Sequence, residues 1–246
     1  MRMLLPESRS PDGPRHRIRR ALRALSTVLI VSGTMLILDA GLTLVWQEPI
    51  SAVYAKWQQR SLQGQLRDAV SLSALQLRAL QRLRTERRRI AFLARVLRRD
   101  VEDGDPIGRI KIPRTGTNFV IVEGTQPGDL RKGPGHYADT AMPGLPGTVA
   151  MAGHRTTYLA PFRKLNELRP GDRIDVEMPY GRFTYRLVTR HIVSPRAYQF
   201  VTRRAGYSRL ALTACHPLYS ARQRIVVFGR LVDVQARGRA RVNATL

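Results

Sequence analysis

Apolar positions change their spacing along this chain, and each change predicts a different kind of element. From Met1 to Ala24 they are sparse, Pro6, Pro11 and Pro14 interrupt any period, and the basic cluster Arg15-His-Arg-Ile-Arg-Arg20 follows. Such a segment cannot bury a core, so 1–24 is expected to be a disordered basic tail. Next comes a nearly unbroken apolar run from Thr27 to Trp46, about 20 residues, the length a helix needs to cross a bilayer. A transmembrane anchor over 25–47 is the expectation, with Trp46 suited to the interface. A cleaved signal peptide has a shorter apolar region and a small-residue cleavage site, whereas this run ends in Trp46-Gln-Glu-Pro49. Asp39 lies within the run among Ala, Gly and Leu, and no role is assigned to it.

From Ser51 to Val101 the spacing becomes helical. Leu66, Val70, Ser73, Leu77 and Leu80 recur at three- and four-residue steps with Arg and Gln between them, so 48–101 is expected to be an amphipathic helical stalk. Its arginines (Arg78, Arg82, Arg84, Arg87, Arg88, Arg89, Arg95, Arg98 and Arg99) read first as a solvated face, and second as contacts to an anionic membrane surface or a partner.

At Glu102-Asp-Gly-Asp-Pro106 the helical period stops and Gly and Pro become frequent, which puts a domain boundary there. Strands are expected over Ile107–Ile112, Asn118–Val122, Thr148–Ala152, Arg173–Met178, Arg182–Val193, Ser208–Cys215 and Arg224–Val234, with a helix over Tyr158–Leu168. Seven or eight strands over 102–236 make an all-β closed barrel or sandwich, followed by a C-terminal tail at 237–246.

Composition narrows the function classes. The 42 Lys+Arg against 18 Asp+Glu give a formal charge of +24, which suits nucleic acid, an anionic membrane surface or anionic wall polymers alike. Basic residues concentrate in the tail and stalk and no stacking aromatic platform is evident, which argues against nucleic acid. The arginine-rich N-terminal flank of the apolar run places Met1 in the cytoplasm and the chain after Pro49 outside. One cysteine excludes an intramolecular disulfide and leaves a free thiol.

That cysteine, Cys215, ends the alternating stretch Leu210-Ala-Leu-Thr-Ala-Cys215-His-Pro217, where Pro217 stops a strand at a rim. A catalytic thiolate needs a base or a positive neighbour. Five histidines compete for that role. His16 lies in the tail, His191 reads as an exposed barrel-face residue, and His216 is expected to face away from the thiol because neighbouring strand residues point to opposite faces. His154, directly after Thr148-Val-Ala-Met-Ala-Gly153, is the stronger base, and His136 in the loop Lys132-Gly-Pro-Gly-His-Tyr137 is the reserve. An arginine is the natural oxyanion donor at a basic rim. Arg224 opens the last strand and Arg222 shares its face, but composition gives neither a preference.

The ordered motifs Gly153-His154-Arg155, Leu212-Thr213-Ala214-Cys215 and Arg224-Ile-Val-Val resemble the sortases, cysteine transpeptidases of Gram-positive cell surfaces, over roughly Ile107 to Val234. Gly108-Arg-Ile-Lys-Ile-Pro113, Gly135-His136-Tyr137, Ala160-Pro-Phe162 and Cys215-His-Pro217 are most similar to class E, the housekeeping group of high-GC actinobacteria. The resemblance implies a closed sortase-type barrel behind a membrane anchor. In it Cys215 would attack the Thr-Gly bond of a Leu-Ala-X-Thr-Gly or Leu-Pro-X-Thr-Gly sorting signal, His154 would act as acid and then base, and Arg224 would hold substrate and oxyanion. It also implies surface proteins bearing such signals as donors, a peptidoglycan precursor amine as acceptor, and no cofactor. The sortases usually have Thr before the cysteine, and here it is Ala214. The loop Leu218–Gln223 carries no acid, so no calcium or other metal site is indicated.

Other readings compete. A lone cysteine is often a buried small hydrophobe. A zinc site from Cys215, His216 and His154 lacks a second cysteine and would ask two adjacent strand residues to bind one ion. A hydrolytic cysteine peptidase would use the same thiol and imidazole. A non-enzymatic basic module binding wall polymers would keep its activity after Cys215→Ala, which an enzyme would not.

Overall fold

The computed structural model describes residues 14–45, 49–66, 71–203 and 205–242. Expectations for residues 1–13, Trp46 and Val70 lie outside the described residues. The chain divides into two compact units, Met1–Trp46 and Gln47–Leu246.

In the first unit a helix, α1 (Pro14–Val45), contains the apolar run. Its segment Ile18–Gly41 is 24 residues long, 0% buried, and apolar enough to cross a membrane. The expected disorder of 14–24 is corrected, since this stretch is already helical. Proline is tolerated at the first helical position, and the Arg, Ala and Leu residues that follow are good helix formers on which a long helix propagates cooperatively.

In the second unit the stretch read as one stalk is three helices: α2 (Pro49–Gln65), α3 (Ala74–Arg82) and α4 (Glu86–Asp100). The starts of α3 and α4 are written in capping residues that a period count passes over. Ser73 and Gln76 form a reciprocal capping box, so Ser73 is a cap and not part of an apolar stripe. The Thr85 hydroxyl accepts the Arg88 N–H in the same way. These helices do not stand free. Ile90, Leu93, Ala94 and Leu97 of α4 join the main core cluster with Ile110, Val176 and Phe183, while Leu62 of α2 packs on Val120 and Val122. Gln59 bonds to both backbone groups of Val120 and to the Lys132 carbonyl. Arg89, expected on a solvated face, is 7% exposed and donates to the carbonyls of Leu83 and Arg241. The segment 237–242 is likewise engaged, with Ala240 in the core cluster.

Eight strands follow: β1 (Pro106–Ile112), β2 (Thr117–Glu123), β3 (Gly135–His136), β4 (Thr148–Ala152), β5 (Arg173–Met178), β6 (Gly181–Val193), β7 (Arg209–His216) and β8 (Gln223–Ala236). They close into a barrel in the order β1-β2-β3-β4-β7-β8-β6-β5, as an all-β barrel of seven or eight strands was expected to. Closure removes the unpaired edges of an open sheet. Its interior holds Ile110, Met151, Leu210, Leu212, Ala214, Ile225 and Val227. On the outer face Ala150, Ala211, Val226 and Phe228 form a second cluster with Val201 of a short helix, α6 (Tyr198–Thr202), which follows α5 (Pro127–Lys132) in the helix count.

The expected strands fall within two residues of the observed ones, but two elements differ. β3 was read as loop because two residues carry no period. The helix expected over Tyr158–Leu168 is a run of turns ending in a 3-10 turn, Leu165–Glu167. Tyr158, Leu159 and Ala160 have φ of 50°, 61° and 42°. A right-handed helix cannot contain such a left-handed turn.

Candidate active site

Strand register relates three separated positions. β4 and β7 are parallel neighbours with Ala152 beside Thr213, and the Gly153 N–H extends that ladder to the Thr213 carbonyl at 3.1 Å. Two residues beyond Ala152 and Thr213 lie His154, past the end of β4, and Cys215, on β7. On the other side β7 and β8 are antiparallel, and Cys215 is the direct partner of Arg224. Alternation fixes the face. Leu210, Leu212 and Ala214 fill the barrel interior, so Thr213 and Cys215 point outward, as Arg224 does beside the inward Ile225. Cys215 and Arg224 therefore share the outer face of β7 and β8, and His154 follows two residues past the end of β4, the strand beside β7.

Local sequence builds each part of this site. The His154 loop needs Gly153, because a Cβ there would lie 2.6 Å from Cδ2 of the buried Phe162. The His154 ring packs at 5.1 Å from the Tyr158 ring, and Arg131 of α5 lies over the other ring's system at 5.9 Å from the Tyr158 centroid. Among the described residues His154 Nε2 is buried with no hydrogen-bond partner. Burial lowers the His154 pKa below its ordinary 6.5, and the Arg131 charge lowers it further. Both effects favour the neutral form of the ring.

Cys215 is a half-buried free thiol. Its predecessor Ala214 is 4% exposed inside the barrel, so the methyl group faces away from the outer surface that carries the sulfur. Thr213, on the outer face, exchanges a hydrogen bond with the Tyr137 hydroxyl at 3.2 Å. Arg224 donates from one guanidinium nitrogen to the carbonyls of Ala221 and Gln223, both at 3.0 Å.

The remaining histidines separate clearly. His136, the reserve base, is fully buried in β3: Nδ1 meets Glu123 Oε2 at 2.9 Å, and Nε2 lies 3.1 Å from both Thr140 Oγ1 and the Ala141 carbonyl. It is a structural histidine and is removed from the candidates. His191 is exposed on β6 and edges the outer cluster, 5.4 Å from the Phe200 ring. His16 lies on α1. His216 accepts a hydrogen bond at Nδ1 from Arg155 at 3.1 Å, and burial, Arg155 and Arg190 lower its pKa. Arg222 is exposed on the loop before β8.

Sequence reasoning assigned no role to Tyr137, Tyr158, Arg131 or Arg155. Arg155 was visible only as the third residue of Gly153-His-Arg, a position that says nothing of where its side chain goes. Among the described residues no group of three or more His, Cys, Asp or Glu gathers in a way that would hold a metal ion.

The closed barrel has counterparts among known proteins. Sortase D of Bacillus subtilis (strain 168) is 36% identical over 134 residues, 53% of this chain and 66% of that protein. Sortase SrtE1 of Streptomyces coelicolor is 31% identical over 158 residues, 58% of this chain and 45% of that protein. The chain thus matches between about half and two thirds of the length of these curated relatives. Among solved structures, sortase E1 of Streptomyces coelicolor with a tripeptide in the active site is similar at a TM-score of 0.51 and 30% identity, over 54% of this chain and 91% of that one. The sequence profile of the sortase domain matches residues 110–232, half of the chain, and on that match, with the eight-stranded barrel, the chain belongs to the sortase family.

Proposed function

We propose that this protein is a membrane-anchored cysteine transpeptidase that cleaves a sorting signal between Thr and Gly and transfers the new Thr carboxyl to an amine of the cell wall. The observation that supports the reading is the strand register, which pairs Cys215 with Arg224 and ends β4, the neighbour of β7, two residues before His154. The Cys215 thiol passes its proton to His154 as its sulfur attacks the Thr carbonyl carbon, and the charge passes to the carbonyl oxygen. Arg224 exchanges its bonds to the Ala221 and Gln223 carbonyls for bonds to substrate and this oxyanion. As the C–N bond breaks, His154 gives a proton to the glycine amine and a thioester remains on Cys215. An incoming amine then attacks the thioester, and His154 takes up its proton and returns it to the Cys215 sulfur as the C–S bond breaks.

The finer assignments belong to the same proposal. Relatives named sortase D and sortase E both match, and the motifs read above favour class E with Leu-Ala-X-Thr-Gly signals. Donors are surface proteins bearing such signals, and the acceptor is a peptidoglycan precursor amine. The apolar helix α1 serves as a single-pass anchor, with the arginine-rich N-terminal side cytoplasmic and the barrel outside.

The full chain in detergent micelles, given Leu-Ala-X-Thr-Gly and Leu-Pro-X-Thr-Gly peptides with an amine, tests the proposal. Cleavage that depends on Cys215 and a ligated product that depends on the amine are expected. Cleavage by Cys215→Ala, or none by the wild type, overturns it, and cleavage without ligation assigns a hydrolytic peptidase instead.

A further inference from the structure

The first helix after the apolar span has two working faces. On one face of α2 Ala55 and Leu62 are buried, and Gln59 grips the barrel through both backbone groups of Val120 and the Lys132 carbonyl. On the opposite face Val53 and Trp57, four residues apart, are 70% and 63% exposed, and Arg60 follows three residues later on the same line. Tyr54 and Lys56, both exposed, flank that line. Single exposed apolar side chains are ordinary on a protein surface, and Leu75 on α3 or Ile192 on β6 need no partner. Val53, Tyr54 and Trp57 differ, because they gather on little more than one helical turn, beside two cations, in a helix with no acidic residue.

Continuity of the chain says what covers this face. Three residues separate α1, which ends at Val45, from α2, which begins at Pro49. A membrane-spanning α1 therefore leaves the first turns of α2 at the bilayer surface. Trp and Tyr favour that interface, where a ring's apolar body meets acyl chains and its polar edge meets water, and Lys and Arg meet anionic headgroups there. The order along α2 matches this chemistry: the apolar side chains come first after the span, and Arg60 comes later.

Resting on the reading of α1 as a membrane anchor, we propose that α2 is an interfacial helix whose Val53, Tyr54 and Trp57 side chains dock on an anionic lipid surface while its other face stays seated on the barrel. Its apolar side chains enter the boundary between headgroups and acyl chains, about 5–10 Å deep for a helix of this kind. The contact reaches the loop of His154. The Ser51 hydroxyl, in the first turn of α2, accepts the Tyr158 N–H at 3.4 Å, and the Tyr158 ring packs against that of His154. Docking thus holds the His154 loop close to the lipid surface, where a membrane-held substrate is presented.

The chain has two tryptophans, Trp46 and Trp57, which makes fluorescence specific. The full chain with Trp46→Phe, reconstituted into vesicles of phosphatidylcholine and phosphatidylglycerol, reports Trp57 alone. Lipids brominated on their upper acyl carbons are expected to remove most of its emission, while acrylamide in the water barely quenches it. The loss is expected to shrink in pure phosphatidylcholine, where Lys56 and Arg60 meet no net negative surface. Val53→Asp in the same background is expected to restore emission, and Leu75→Asp, on the exposed side of α3, to leave the loss as it was. Trp57 emission that acrylamide quenches and brominated lipid does not touch overturns the proposal. Shielding from both quenchers that fades as the protein is diluted into lipid overturns it too, and assigns the face to a second copy of the chain. Trp57→Phe leaves Trp46 to test the anchor separately. Brominated lipid that quenches Trp46 and not Trp57 sinks the docking of α2 alone, and quenching of neither sinks the anchor with it.

Discussion

Cys215 and Arg224 are direct partners in the antiparallel pair of β7 and β8, so their side chains leave the sheet on the same face although eight residues of chain separate them. Pairing of this kind sets neighbouring Cβ atoms about 5 Å apart and holds them there through the ladder. Under the proposed mechanism a guanidinium on that partner position would reach the oxygen of the carbonyl that the sulfur attacks. Arg224→Ala is therefore expected to lower kcat/KM for the signal peptide by roughly 10²–10³ fold. Because Arg224 is only half-buried, the melting temperature should barely move. Steady-state peptide cleavage beside a thermal melt checks both parts, and a loss of folding equal to the loss of rate would count against an oxyanion role.

His154 carries the second prediction. Its pKa is lowered by burial first and by Arg131 second, so Arg131→Gln should raise it toward 6.5. NMR titration of the His154 ring protons reads the change. The folded state holds this proton more weakly than the unfolded chain, so the associated stability is present above pH 6.5 and is lost as pH falls through the lower folded value. The acid-side loss in melting temperature should be smaller in His154→Gln than in the wild type.

Gly153 tests how the base is held. A Cβ at Gly153 would meet Phe162 at 2.6 Å, and Phe162 is 1% exposed. Gly153→Ala should cost about 1–3 kcal/mol of stability, as overpacking does, and lower the rate by displacing the adjacent His154. Differential scanning calorimetry and peptide cleavage measure the two effects. Gly153→Ala with wild-type stability would mean that Phe162 has room to move.

The seat of α4 gives a fourth. Leu93 is 1% exposed within the main core, whereas Leu75 on α3 is 76% exposed. Leu93→Ala should destabilise the barrel by about 2–5 kcal/mol, with Leu75→Ala close to neutral. Equal melting temperatures for the two variants would return α4 to the status of a free stalk.

Glu177 closes the series. Burial pushes its carboxyl up, but hydrogen bonds from Lys111 and Arg182 and the charges of Arg237 and Lys111 bring it down to about 2 from 4.5. These partners stand on β1, β6 and the residue after β8, so the carboxylate ties together strands on either side of β5. The stability it contributes is present above pH 4.5 and is lost as pH falls toward 2. At neutral pH Glu177→Gln should cost roughly 1 kcal/mol after solvent screening, about 2–4 °C in Tm. Melting curves across the acid range check the sign.

Local features are legible in the chain's own pattern. Two-residue alternation marked seven of the eight strands, and a long apolar run marked α1, because burial on one face or all round leaves a period in the chain. The spacing of Gly153-His154 and of Ala214-Cys215 also put both residues at strand ends. Three things depended on tertiary structure. The two-residue strand β3 exists only through its pairing with β2 and β4, and that pairing buries His136 against Glu123 and removes it as a base. The capped starts of α3 and α4 let short helices fold back onto the barrel, so Arg89 and Leu93 are interior although their spacing reads as a solvated stalk. The pairing of Cys215 with Arg224, and the place of β4 beside β7 ahead of His154, are set by which strands become neighbours and in which register. Hydrogen bonds between strands distant in sequence make that choice, and they leave no period in the sequence.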